Sequence, residues 1–164
     1  MQVIENFFSH EVFEDIYENV FQVGCPFYMQ QGITEKDDGF YYFVHQFYKD
    51  NKPITTFYDF YYELIKKQLN IDILLRGKIN IYNQTHEVVE HKLHTDYPYK
   101  HKVALLSLND CNGFTILEDG TKLPSKKNQM IIFDGNKYHK STSCTDAPFR
   151  ANIIINYLDK ECLA

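Results

Sequence analysis

From residue 71 onward the chain is written in short apolar runs, and that punctuation limits the fold more than any other feature. Runs rich in Ile, Val, Tyr and Phe fall near 77–83, 88–94, 102–108, 113–117, 129–134, 137–143 and 149–158, separated by clusters of Asn, Asp, Gly and Lys. Several short strands at close spacing predict a β-sandwich, a jelly roll or a small barrel. Before residue 71 the spacing is helical. Ser9 is a candidate N-cap for a helix over 9–21, with Val12, Phe13, Ile16, Val20 and Phe21 as its apolar stripe. Gly24-Cys25-Pro26 breaks the chain, and a short strand is expected over 27–29. The stretch 40–48 is too aromatic for periodicity to decide and is read as a strand. A second helix is expected over 53–70, with Phe57, Phe60, Tyr61, Leu64 and Ile65 on one side. The class is therefore α+β: a helical, aromatic support (1–70) and a β core (71–164). At 164 residues, with no Gly-, Ser- or Pro-rich linker between the halves, one domain is expected.

Composition removes several alternatives. An apolar content of 44% against 24% charged residues excludes a disordered chain. A net charge of −5 without a long basic run disfavours a nucleic-acid partner gripped through its phosphates. No window approaches 18 apolar residues, so no membrane partner is expected. The first twenty residues lack a basic region and carry acids through their apolar stretch, unlike a signal peptide. The four cysteines are far apart and form no CxxC pair, and they are read as reduced thiols in a cytoplasm. Most of the aromatic residues between 40 and 62 should be core, with some tyrosines available to line a substrate mouth.

The chemistry starts at His94-Thr95-Asp96. With 7 His and 12 Asp in the chain, chance supplies roughly half of one H-x-D match, so the motif alone says little. In a strand, however, residues two apart share a face, and the preceding 88–93 is strand-like, so His94 and Asp96 would converge. His91 would then face the other way. His139, in a strand–turn–strand segment, is the natural third ligand. Two histidines and one carboxylate on a β scaffold form the facial triad of non-haem iron(II) oxygenases, which leaves positions open for a co-substrate and dioxygen. Arg150 is the fourth element. It is one of two arginines against fifteen lysines, and it heads the run Arg150-Ala151-Asn152-Ile153-Ile154-Ile155-Asn156-Tyr157. A guanidinium fork suits bidentate capture of a carboxylate. Alternation puts Arg150, Asn152, Ile154 and Asn156 on one face, which suggests a pocket for a dicarboxylic acid, and Tyr82 could add a phenol donor to it. Arg76 is read as a structural ion pair.

The order His94-x-Asp96, His139, Arg150 resembles the 2-oxoglutarate- and iron(II)-dependent dioxygenase superfamily in its prolyl-4-hydroxylase-like branch. The text from Asn109 to Thr115, then Glu118-Asp119-Gly120, Asn128 to Gly135, and Thr145-Asp146 before Arg150 resembles small phage-encoded members. The likeness runs from about residue 76 to residue 158 and implies a double-stranded β-helix, or jelly-roll, core. It implies iron(II) held by His94, Asp96 and His139. It also implies 2-oxoglutarate held at its distal carboxylate by Arg150 and Tyr82, with Asn152 and Ser107 beside them, O2 as oxidant and ascorbate as an accessory reductant. The family often has an arginine where Gln129 stands. By the same resemblance the substrate would be a prolyl residue in a peptide or protein. The alternatives are a free amino acid or other small metabolite, and, from a different class, a cupin-like module that binds metal without turnover.

Overall fold

The computed structural model describes residues 1–21, 25–35 and 38–163 and, within the second helix, leaves the side chains of Phe60 and Tyr61 outside the description. In chain order the elements are β1 (Gln2–Ile4), α1 (His10–Phe21), β2 (Tyr28–Gln31), β3 (Tyr41–Lys49), β4 (Lys52–Pro53), α2 (Thr56–Leu69) and β5 (Ile73–Asn83). There follow β6 (Lys102–Ser107), β7 (Cys111–Leu117), β8 (Lys122–Ser125), β9 (Met130–Asp134), β10 (His139–Ser141), β11 (Phe149–Leu158) and α3 (Lys160–Leu163). Eight strands form one sheet in the order β1-β9-β6-β11-β5-β3-β2, with β4 on β3; β10-β7-β8 form a second sheet. All pairings within the two sheets are antiparallel. The result is the double-stranded β-helix with supporting helices. No described helix is long and apolar enough to cross a membrane.

Strict alternation along β11 organises the molecule. Ala151, Ile153, Ile155 and Tyr157 join Phe13, Ile16, Val20, Phe57, Tyr62, Ile65 and Leu69 in a core between the large sheet and the two longer helices. Arg150, Asn152 and Asn156 are equally buried on the opposite face, toward the second sheet. A polar interior between two sheets is costly unless each group finds a partner, which already marks that face for a ligand.

Several boundaries differ from expectation for identifiable reasons. The stripe of α2 runs through Phe57, Tyr62, Ile65 and Leu69, and Leu64 is exposed. Anchoring it on Tyr62 removes the apparent break at Gln68, while the expected places of Phe60 and Tyr61 fall outside the described side chains. Residues 88–94 form no strand. They are pinned by single bridges, Glu90 to Thr142 and His94 to His139, because β10, the strand they run beside, is three residues long. Three strands lie outside the expected runs, β1, β4 and β8; β4 takes Pro53 from the start of the expected helix, which begins at Thr56. Pro124 hides β8, and its place on the edge of the smaller sheet is where proline is tolerated. Gly24 lies outside the described residues.

Candidate active site

The candidate metal ligands are brought together by backbone pairing. His94 N–H donates to the His139 carbonyl and His139 N–H to the His94 carbonyl, both at 2.9 Å, while Asp96 N–H donates to the Gly135 carbonyl at 3.3 Å. The convergence expected of a regular strand is thus achieved by one bridge and one turn. The ligand atoms of His94, Asp96 and His139 all lie within 4.8 Å of one another. Each histidine donates from Nδ1 to a carbonyl two residues earlier, His94 to Lys92 at 3.2 Å and His139 to Lys137 at 3.0 Å. Those bonds fix the tautomer and leave both Nε2 lone pairs for a metal.

Asp96 is fastened at both oxygens. Arg76 Nη2 donates to Oδ1 at 2.6 Å and Asn156 Nδ2 to Oδ2 at 2.7 Å, with His139 Nε2 3.9 Å from Oδ2. Burial alone would raise this carboxyl, but Arg76, His139, Lys78 and the Asn156 hydrogen bond outweigh it and hold it ionised far into acid. Arg76 also donates from Nε to Asn156 Oδ1 at 3.0 Å. His101, fully buried, accepts from Asn156 Nδ2 at 3.4 Å through Nε2, since its Nδ1 donates to the Tyr99 carbonyl at 2.9 Å. Gly135 makes room for it: a Cβ there would stand 2.1 Å from His101 Nε2. Arg76 is therefore the ion pair the sequence suggested, and its partner is the candidate carboxylate ligand itself.

Arg150 presents the second half of the site. It is 1% exposed, yet no carboxylate among the described residues pairs with it. Nη1 donates to the carbonyls of Phe114 at 3.0 Å and Thr142 at 3.1 Å, and Nη2 to Thr115 Oγ1 at 2.8 Å. Its Nε has no hydrogen-bond partner among the described residues. Gly113 is required beside it, because a Cβ would meet Arg150 Cδ at 2.8 Å and the Ser143 carbonyl at 2.7 Å. One row further along β11, Asn152 is in register with Asn80 on β5 and Ser107 on β6. Asn80 Oδ1, Ser107 Oγ and Asn152 Oδ1 are buried without hydrogen-bond partners among the described residues. Tyr82 is opposite Arg150, with the guanidinium carbon 5.9 Å from its ring centroid, and its hydroxyl accepts from Asn80 Nδ2 at 3.2 Å. A buried cation lacking a counter-ion, next to a row of orphaned polar atoms, fits a small dianion such as 2-oxoglutarate.

Not everything expected lies on one surface. A cavity of about 780 Å³ is walled by Gln30, Tyr42, Gln46, Arg76, Lys78, His94, Asp96, Tyr97 and Tyr99, among others. Tyr82 borders a separate cavity of about 120 Å³ with His91, Val89 and Ser143, and Arg150, Asn152 and Ser107 are on the wall of neither. Gln129 sits away from the triad and donates to Glu5 at 2.8 Å, a tie between the first strand and the sheet. Asp134, the last residue of β9, accepts from Lys102 at 2.9 Å.

The sequence missed His91. It is buried beside Tyr82, bonded through Nδ1 to Ser141 Oγ at 2.8 Å, and burial followed by the Arg150 charge pushes its pKa down to about 4. Unfolded, this imidazole takes up its proton near 6.5; folded, it does so only near 4. Between those values the unfolded chain binds more protons, so stability is present above 6.5 and is lost as pH falls toward 4. The loss from this one group is expected to be about 3 kcal/mol at most. Urea melts of the apo-protein across that range should show the limb, and His91→Gln should flatten it. A limb of equal depth in the variant would locate the titration elsewhere.

No family model matches the chain, and no curated protein resembles it in sequence. Solved structures do match in fold. A 2OG-Fe(II) oxygenase family oxidoreductase from Burkholderia pseudomallei superposes with a TM-score of 0.65 at 13% identity, covering 93% of this chain and 80% of that one. A Pseudomonas putida prolyl-4-hydroxylase gives 0.67 at 11% identity over 95% and 91%. A Trichoplax adhaerens prolyl hydroxylase, in complex with a hypoxia inducible factor oxygen degradation domain peptide fragment, gives 0.68 at 15% over 98% and 84%. The chain thus has the fold of the 2OG-Fe(II) oxygenases. Within that fold the triad and the buried arginine are its own residues.

Proposed function

We propose that the protein is an iron(II)- and 2-oxoglutarate-dependent dioxygenase that hydroxylates an aliphatic C–H, with a prolyl residue of a peptide or protein as substrate. The observation that carries this reading is Arg150, a buried guanidinium without a counter-ion among the described residues, on the same face of β11 as Asn156, which holds Asp96 of the His-Asp-His cluster. A module that only bound metal would have no use for it. Bound together, the iron, 2-oxoglutarate and O2 would supply the oxidation, with 2-oxoglutarate decarboxylated to succinate. His94 and His139 would offer Nε2 to the metal and Asp96 a carboxylate oxygen, while Arg76 and Asn156 keep that carboxylate in place. Arg150 would hold the distal carboxylate of the co-substrate, with Tyr82, Ser107 and Asn152 satisfying the remaining polar atoms. The peptide reading is supported by the prolyl-hydroxylase folds this chain shares, one of them with a peptide, and by a roomy cavity with Tyr42, Tyr97 and Tyr99 on its wall.

Anaerobic titration of the apo-protein with iron(II) and 2-oxoglutarate tests the first half. The weak visible band of the iron–2-oxoglutarate complex should appear, and succinate should form once air is admitted. Iron binding without the band would favour the binding module. Proline-containing peptides that stimulate succinate release would support the substrate; stimulation by free amino acids alone would replace it.

A further inference from the structure

Two cations on the cavity wall, Lys49 and Lys78, make no ion pair among the described residues; Lys49 is exposed at the end of β3, and Lys78 is half-buried. Lys78 projects from β5 on the same face as Arg76, Asn80 and Tyr82, in register with Gln46 of β3 and Ile154 of β11. Arg76 is already bound to Asp96 and Asn156. Lys78 makes no ion pair or side-chain hydrogen bond among the described residues, and its one polar contact is the Tyr42 ring, with Nζ 5.6 Å from the centroid. A cation–π contact of about 0.5–2 kcal/mol does not neutralise a half-buried ammonium on a cavity wall. Burial, followed by repulsion from Arg76, pushes this ammonium down to about 8. The neighbouring wall is neutral at Val44, Gln46 and Leu75; of the two acids on the cavity wall, Asp96 is held by Arg76 and Asn156, and Asp50 is exposed and makes no ion pair with Lys78. An anionic ligand is what this position lacks.

The function proposed above, on which this inference rests, commits both carboxylates of 2-oxoglutarate: one to the metal, the other to Arg150. A third carboxylate must come from another molecule. We propose that Lys78 binds a carboxylate of the substrate, so that the molecule oxidised here is a carboxylic acid, either an amino acid or a peptide presenting its C-terminus. The ammonium then anchors one end of the substrate in the cavity shared with His94 and Asp96, and the distance from that carboxylate selects the carbon presented to the metal.

Acid–amide pairs test this: N-acetyl-L-proline and N-acetylglycyl-L-proline, each against its amide, titrated anaerobically into protein loaded with iron(II) and 2-oxoglutarate, in wild type and Lys78→Met. The acids should perturb the visible band at concentrations at least tenfold below the amides, and the advantage should vanish in Lys78→Met while its 2-oxoglutarate requirement stays unchanged. The better of the two acids tells amino acid from peptide. Equal binding of acid and amide, no binding of either, or an advantage that survives the substitution would overturn the proposal. A raised 2-oxoglutarate requirement in Lys78→Met would do so as well, assigning the lysine to the co-substrate. Should the wild type form no band, the dioxygenase reading falls; calorimetry of the same pairs on the apo-protein then decides the anion site by the same criterion.

Discussion

His94→Ala and His139→Ala should each lower iron(II) affinity by at least about 100-fold and abolish succinate formation, with the fold intact. The size follows from what each ring supplies. Groups that merely orient a ligand are worth about 10–100-fold in metal affinity, and a ligand is worth at least as much. The fold should survive because the two positions are joined through their backbones, His94 N–H to the His139 carbonyl and the reverse, and alanine keeps both bonds. The rings also touch, with centroids 4.6 Å apart, and Phe133 packs on His139, so a modest loss of thermal stability is expected beside the metal effect. Asp96 is a poorer choice for this test. Removing it strands Arg76, a mostly buried cation, and breaking such a pair costs about 3–5 kcal/mol, which confounds metal loss with unfolding. Anaerobic iron titration beside urea melts separates the two for the histidines. Stoichiometric iron binding within threefold of wild type in either variant would remove that histidine from the ligand set.

The parts of this site that were legible in sequence are those where one residue type carries one chemistry. His94-x-Asp96, His139 and the isolated Arg150 stand out because carboxylate, imidazole and guanidinium have few structural uses in strands, and period-two alternation along 150–157 told which neighbours share the arginine's face. The same alternation applied to 76–82 would have placed Arg76, Lys78, Asn80 and Tyr82 on that interior too. Tyr82 is singled out there and Arg76 is read as an ion pair, but Lys78 and Asn80 are lost among residues that are ordinarily surface polar groups. Their burial is a tertiary fact, set by β11 and β3 closing over both edges of β5. Residues 88–94 misled for a related reason. Their composition is that of a strand, but a strand needs a partner of matching length, and β10 offers three residues. The convergence of His94 with Asp96 was therefore expected on a premise the structure replaces: a single bridge to His139 and a turn held by Gly135 do the work that a continuous ladder was to have done.

Arg150→Met should raise the 2-oxoglutarate requirement by about 30-fold or more while changing iron affinity less than threefold. Truncating one partner of a buried, hydrogen-bonded charge pair costs about 2–5 kcal/mol of binding, which at 1.4 kcal/mol per decade gives that range. Methionine is the informative replacement because it keeps an unbranched chain beside Gly113, where the Arg150 stem passes within 2.8 Å of an ideal Cβ position. Two opposing terms act on the apo-protein. The Thr142 carbonyl and Thr115 Oγ1 lose the Arg150 donors, at about 1–3 kcal/mol for each acceptor left unsatisfied, while the Phe114 carbonyl keeps the Thr142 hydroxyl. Against this, a buried and uncompensated cation disappears, and exchanging buried charge for apolar volume is often neutral or better. Apo-stability should accordingly change far less than ligand response. In the wild type, 2-oxoglutarate at a hundred times its dissociation constant should stabilise the folded protein by about 2.7 kcal/mol, and the same concentration should leave Arg150→Met almost unmoved. Arg150→Lys restores the charge without the fork and should recover part of the binding. The clamp would be refuted if Arg150→Met kept the wild-type requirement, and the dianion would then have to be held by the cavity side, where Lys78 and Lys49 are the cations without an ion pair among the described residues.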